Sequence, residues 1–495
     1  MSFIRNTALN AVATVTTTLG RLLMTTLIAR RIGPEAFGVL IFAQWCAETI
    51  AAVATVGLPN VLARYCPELA DAPATARRAR VRQLFAAGAA TFVIALVASA
   101  VVFGFFGHRG SYLIAASIAW TLGTLVLMLT NALGNGLLRF DLILFSNLVF
   151  VAVGLGATFL LVHPGDPLGA MLVWVLASLT GAGAMLLGLR VGRSGPAAGA
   201  ARPLSGFRDI GRYAVNTWIG GLAASQLWTR GEIGVLRVFE PPADIARYGA
   251  ATTLSGLIMQ GVNLFQGGLT PHLAKAWAQD DRAYIESLLG GLSRLTFAAS
   301  IGGGLLIVLF APQIVSGFFG ARFAGAAPAL MIIVFGVSAA GAGPAGMAVQ
   351  FATDGRFQRN VNLLGVGLLV GLTAGLAPFL GIAGAALART LVIGGAGIAS
   401  VVMLGRIGYP DLRRTILWRW ALGLALLAGC AAAAVWLRPG LVVRAGLFCL
   451  AGVATLALFA EPRWLAIARA WPAMGARFAP PRRRDDAPSR AWGDV

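Results

Sequence analysis

Apolar stretches of about twenty residues recur along the whole chain, separated by short turns that are polar or carry Gly and Pro. Helices of that length match the hydrocarbon thickness of a bilayer. Fourteen spans are expected, near 8–29, 37–58, 84–106, 111–136, 142–162, 168–189, 213–236, 248–270, 294–311, 326–352, 358–379, 383–405, 416–437 and 442–460. The pattern predicts an all-α polytopic membrane protein. The longer spans are expected to tilt or to project past the hydrocarbon.

The first span departs from uniform apolarity. Asn6, Asn10, Thr14, Thr17, Arg21 and Thr25 recur at spacings of three and four, which puts them on one helical face. An arginine at that depth is costly in lipid and normally faces a bundle interior or a watery cavity. In the second span Gln44 and Glu48 stand one turn apart, and Glu48 is the nearest candidate counter-ion for Arg21. Two readings follow: an Arg–Glu pair that fixes helix packing, or a cationic site in a central cavity for an anionic substrate.

Composition agrees with the membrane class. The 495 residues are 58% hydrophobic and 12% charged, with a mean hydropathy of +0.79; soluble domains carry about twice that share of charge. The net charge of +20 would suit a nucleic-acid binder were it not so unevenly placed. With the N-terminus in the cytoplasm, 28 Lys and Arg fall in cytoplasmic segments, 8 in outer loops, and Arg21, Arg230 and Arg389 within spans. That asymmetry is the positive-inside rule, so no nucleic-acid partner is expected and both termini are placed in the cytoplasm. The first span carries Arg21 and the second follows at once, so no cleavable signal is expected.

Little else in the sequence carries chemistry. Cys46, Cys66, Cys430 and Cys449 are isolated, and His108, His163 and His272 lie at separate loops or span ends. No metal spacing, disulfide framework, nucleophile triad or phosphate-binding loop is present. Neither a cofactor nor an enzymatic activity is expected. Glu48 and Glu232 are the intramembrane acids available for coupling to protons or Na⁺.

The second half echoes the first. Arg230 precedes Tyr248-Gly249 by 18 residues, as Arg21 precedes Phe37-Gly38 by 16. Pro271 follows Tyr248 by 23 residues, as Pro59 follows Phe37 by 22. Arg139-Phe140 and Arg356-Phe357 each open a span pair, with Gly169-Ala170 and Gly384-Ala385 following 30 and 28 residues later. An even number of spans per repeat gives two bundles of like orientation, related by an axis along the membrane normal. The expected organisation is a six-helix bundle over 1–190, a cytoplasmic linker at 191–212, a second bundle over 213–405, two further helices within 416–460, and a basic tail at 461–495 that touches anionic lipid. Arg21 and Arg230 then occupy equivalent places. Gln226, Gln260, Asn263 and Gln266 add amides on spans seven and eight, either toward a substrate or as interhelical bonds. Gly367, Gly371 and Gly375 form a row of small residues expected to permit close helix contact, and Gly341-Ala342-Gly343-Pro344 should kink span ten.

The hairpin IARRIGPEAFG (Ile28 to Gly38) and the exit Gly57-Leu58-Pro59 followed by Arg64 resemble the polysaccharide-transport branch of the multidrug/oligosaccharidyl-lipid/polysaccharide exporter superfamily. So do the segments Tyr248 to Ala274, GARFAGAAPAL (Gly320 to Leu330) and GRFQRNVN (Gly355 to Asn362), with Pro378 and Gly381-Ile382-Ala383-Gly384-Ala385 beyond. The resemblance covers roughly residues 1 to 405. One departure is Arg230-Gly231-Glu232, where many relatives place an acidic–basic pair midway along span seven.

This resemblance implies a flippase for undecaprenyl-diphosphate-linked oligosaccharide in a bacterial inner membrane, serving O-antigen, capsule or exopolysaccharide synthesis. Its partners would be the lipid-linked oligosaccharide, membrane lipids, and the polymerase and other assembly proteins. Substrate would be bound by Arg21, Arg230, Gln44, Gln226, Gln260 and Asn263. Two rivals stand beside it: a peptidoglycan-precursor flippase, and a multidrug or cation antiporter of the same superfamily. A cavity holding two arginines disfavours cationic drugs.

Overall fold

A computed structural model describes residues 3–66, 74–106, 111–137, 139–191, 207–267, 281–353, 355–437 and 439–459, with positions 273, 276, 277 and 279. The predicted tail at 461–495 and most of the 191–212 linker lie outside the described residues, as do the side chains of Asn6, Asn10 and Gln266.

Among the described residues the protein is all-helical, and its helices follow the fourteen expected spans. Helix α1 (Phe3–Ala54) holds the first two spans. Gly33, at φ 79°, takes a conformation that an L side chain rarely adopts, and Pro34 begins the second leg. Gly57, at φ 78°, ends that hairpin and starts the short α2 (Leu58–Tyr65). Four long helices follow: α3 (Ala74–Phe106), α4 (Ser111–Gly136), α5 (Phe140–Leu161) and α6 (Pro167–Val191).

The second half opens with a broken span, α7 (Phe207–Trp228) and α8 (Ile233–Phe239), joined by the turn 229–232. Helix α9 (Pro242–Gly267) returns, and α10 (Arg282–Phe319) forms the ninth span. The tenth is α11 (Ala327–Val337) and α12 (Gly343–Ala352), separated by a 3₁₀ segment, Ser338–Ala342, at the predicted kink. Thr296 Oγ1 donates to the Gly341 carbonyl there (2.9 Å), satisfying a polar group of the tighter segment. Helix α13 (Arg356–Arg406) carries two spans that turn at Gly381 (φ 59°), and α14 (Pro410–Trp436) and α15 (Leu441–Phe459) complete the fold.

Ten of these helical stretches are long and apolar enough to cross a membrane on length and hydropathy alone. Helices α1 and α13 each count once there although each crosses twice. Spans seven and eight fall short because they carry the polar residues of the centre.

Aromatic packing marks the core of each half. Trp120 and Trp174 stack at 5.7 Å with Phe150 against Trp174 at 6.0 Å. In the second half Phe297 packs on Trp420 and Phe459, and Trp420 Nε1 donates to Ser338 Oγ (2.9 Å). Thus α14 and α15 are seated on α10 and on the kinked tenth span.

The row of small residues behaves otherwise than expected. Gly367, Gly371 and Gly375 are exposed, and a Cβ added at any of them would meet nothing within 4 Å. Helical spacing groups residues on one face but does not say which face meets a neighbour; here it is Gly365, one row over, that packs against Leu227.

Candidate functional site

The two legs of α1 wrap the molecular centre together with α7, α8 and α9. On the side away from the N-terminus the second leg lies so close to α9 that a Cβ at Gly38 would overlap the Pro242 carbonyl. Phe37 is buried there against Phe319 and Phe323. Toward the other side Trp218 Nε1 donates to the Ala52 carbonyl (3.0 Å), and Arg64 lies over the Tyr213 ring at 4.6 Å.

Between these closures sits a polar network on spans two, seven and eight. Arg230, carried by the turn 229–232, donates through Nη1 to Gln44 Oε1 (3.2 Å) and through Nη2 to Thr253 Oγ1 (2.7 Å). Gln44 Nε2 in turn donates to Glu48 Oε1 (2.9 Å). Among the described residues Arg230 therefore hydrogen-bonds only neutral groups, with Glu48 one residue removed.

Arg21 corrects an expectation. It forms no ion pair with Glu48 among the described residues; its guanidinium lies over the rings of Phe150 (5.3 Å) and Trp174 (5.9 Å) while the residue stays exposed. The cause is rotation of the first leg: Met24 is buried at Gly154 and Gly20 meets Val151, which turns Arg21 toward the aromatic cluster of α5 and α6. Stacking of this kind leaves the guanidinium edge free to donate.

Glu232 also lies elsewhere than a cavity acid would. It is fully buried, and Oε1 accepts from Arg389 Nη1 (2.9 Å) and from the Tyr248 hydroxyl (2.5 Å). Gln226 is committed between helices, accepting from Trp45 Nε1 (3.3 Å) and donating to Thr49 Oγ1 (3.2 Å). Gln260 and Asn263 are exposed on α9, about ten ångströms or more along the helix from Thr253 at 1.5 Å per residue. The structure thus brings Gln44, Glu48 and Arg230 together, sets Arg21 over Phe150 and Trp174, and leaves Gln260 and Asn263 apart. Sequence reading gave no role to Thr253, Tyr248 or Arg389; an in-span arginine on the twelfth span and an in-span acid on the seventh were the available signal for the last.

These features define a class: an all-helical multi-pass membrane protein with a network of arginine, amide and hydroxyl side chains between spans two, seven and eight. Its fold is similar to that of solved transporters. One described as "Lipid II flippase MurJ, inward closed conformation" aligns over 91% of this chain and 98% of its own, at a TM-score of 0.64 and 13% identity. An inward-facing multidrug-resistance MATE family transporter aligns over 82% and 99%, at 0.59 and 16%. A multidrug/oligosaccharidyl-lipid/polysaccharide superfamily transporter from Pyrococcus furiosus, described as having a binding pocket of reversed polarity, aligns over 83% and 96%, at 0.51 and 16%. No curated protein matches the chain in sequence. A profile of polysaccharide biosynthesis proteins matches residues 3–277, more than half of the chain, and the chain belongs to that family.

Proposed function

We propose that the protein is a flippase that moves undecaprenyl-diphosphate-linked oligosaccharide across the bacterial plasma membrane for polysaccharide synthesis. The observation that carries this reading is Arg230: an intramembrane guanidinium whose hydrogen bonds go to the neutral Gln44 and Thr253. A cation placed that deep, with amide and hydroxyl partners that an anion can displace, is suited to a diphosphate. Arg21, exposed over Phe150 and Trp174, supplies a second donor fork. Gln44 remains to bond glycan hydroxyls once Arg230 turns to the phosphates. The bundles 1–190 and 213–405 rock against each other, the polyprenyl tail stays in lipid, and both termini face the cytoplasm. Glycan polymerase and other assembly proteins receive the product.

The peptidoglycan-precursor reading is favoured by the extent of the likeness to the MurJ fold. Both substrates are diphosphate lipids, so the arginine argument serves either, and the glycan distinguishes them. The test is translocation in proteoliposomes of a short-chain polyprenyl diphosphate carrying either an oligosaccharide or a peptidoglycan precursor, beside a cationic dye. Protein-dependent movement of the oligosaccharide lipid is expected. Movement of the dye alone would overturn the proposal, and movement of the peptidoglycan precursor alone would establish the second reading.

A further inference from the structure

The break in span seven leaves a structural problem that the cavity residues do not solve. Helix α7 stops at Trp228; the Ser225 and Gln226 carbonyls still accept from the Thr229 and Gly231 N–H groups (3.0 and 2.9 Å), and the carbonyls beyond them need other donors. Arg389 Nη2, from the twelfth span, donates to the Trp228 carbonyl (3.0 Å). The same guanidinium holds Glu232 through Nη1 at 2.9 Å, and Glu232 Oε1 also accepts from Tyr248 on α9. Arg389, Glu232 and Tyr248 are 4%, 0% and 0% exposed. One arginine therefore grips both ends of the turn 229–232, while Arg230, inside that turn, bonds Gln44 and Thr253.

We propose that Arg389, with Glu232 and Tyr248, is a positioning residue: it locks the broken segment so that Arg230 presents its guanidinium to the diphosphate. This rests on the reading of Arg230 as a diphosphate ligand. A planar fork is required, because one group must reach a carboxylate and a carbonyl at once. Lysine keeps the charge but holds one partner well. A pair that merely cancels charge would affect stability and leave ligand affinity alone; a positioning role acts on affinity through Arg230.

The test is a double-mutant cycle on the full-length protein in detergent, with inorganic pyrophosphate as the probe and calorimetric titration as the readout. Arg389→Lys is expected to weaken binding about tenfold, and Arg230→Ala by at least as much. In the variant carrying both changes, affinity should equal that of Arg230→Ala alone. Tyr248→Phe, which removes only the hydroxyl bond to Glu232, should give a smaller loss that also vanishes without Arg230, and it serves if Arg389→Lys does not accumulate. Unchanged affinity in both Arg389→Lys and Tyr248→Phe, or losses that simply add to that of Arg230→Ala, would overturn the positioning role while leaving Arg230 a ligand. Unchanged affinity in Arg230→Ala itself would overturn the diphosphate reading and this inference with it.

Discussion

Substitution of Gly38 by alanine probes the closure between spans two and eight. The added Cβ would lie 2.8 Å from Pro242 Cα, with the Pro242 carbonyl carbon and oxygen nearer still. Ordinary contact begins at 3.4 Å, so one backbone must move by more than half an ångström, and no flexible side chain is available to yield. Overpacking of this kind costs about 1–3 kcal/mol, against a helix-propensity gain of about 1 kcal/mol for Ala over Gly. The strain is relieved when α9 leaves the second leg of α1, which opens the closed side. Gly256, on α9, is the control, because a Cβ there meets nothing within 4 Å. Gly38→Ala should melt lower than Gly256→Ala in detergent. In a background lacking the exposed Cys449, it should also make a cysteine at Thr253 react faster with an impermeant thiol reagent added from the side of Gly38. Equal melting and equal labelling in the two variants would refute the argument.

Arg30 and Arg31 offer a second lever. Arg30 donates to the carbonyls of Gly317 and Phe318 at the end of α10, and Arg31 to those of Thr158 and Phe159 at the end of α5, so adjacent residues cap one helix from each half. The change of both to Ala should lower the melting temperature and open the same side as Gly38→Ala, read by the same labelling. Arg389→Ala leaves the fully buried Glu232 without its cation, a loss of about 3–5 kcal/mol; steady-state abundance should fall sharply and recover in part with Glu232→Gln added. Burial, and then the charge of Asp244, push the Glu240 carboxyl above its ordinary value of 4.5. The folded state therefore binds this proton more tightly than the unfolded one, and stability rises as pH falls toward 4.5. Glu240→Gln should melt higher than the parent at pH 7 and lose that share of the gain on acidification.

The fold was readable because its signal is one of length: twenty apolar residues and a turn, repeated. Spans seven and eight are more polar than the rest, and the spacing of Arg230, Tyr248 and Pro271 matched them to the first hairpin. Four arginines of the loops expected to be outer have structural partners: Arg30 and Arg31 cap helices, Arg444 reaches the Leu309 carbonyl, and Arg247 pairs with Asp244 at 2.6 Å. Pairings across helices were beyond periodicity. Arg21 and Glu48 share a depth, but the rotation of each helix is set by contacts such as Met24 with Gly154, and these send Arg21 to Phe150 and Glu48 to Gln44. Arg389 was placed within a span but not paired, because its partner lies 157 residues away.

The account rests on Arg21 and Arg230 as the diphosphate ligands, and reconstituted transport tests that most directly. Arg21→Ala and Arg230→Ala, each at the abundance of the parent in proteoliposomes, are to be assayed for movement of a polyprenyl diphosphate oligosaccharide. Arg21 has no carboxylate partner among the described residues, so its removal orphans no buried acid and the protein should accumulate normally. The prediction is loss of transport in both, with partial activity in Arg230→Lys, which keeps the charge but not the planar fork. Transport at the parental rate in either alanine variant would contradict the claim.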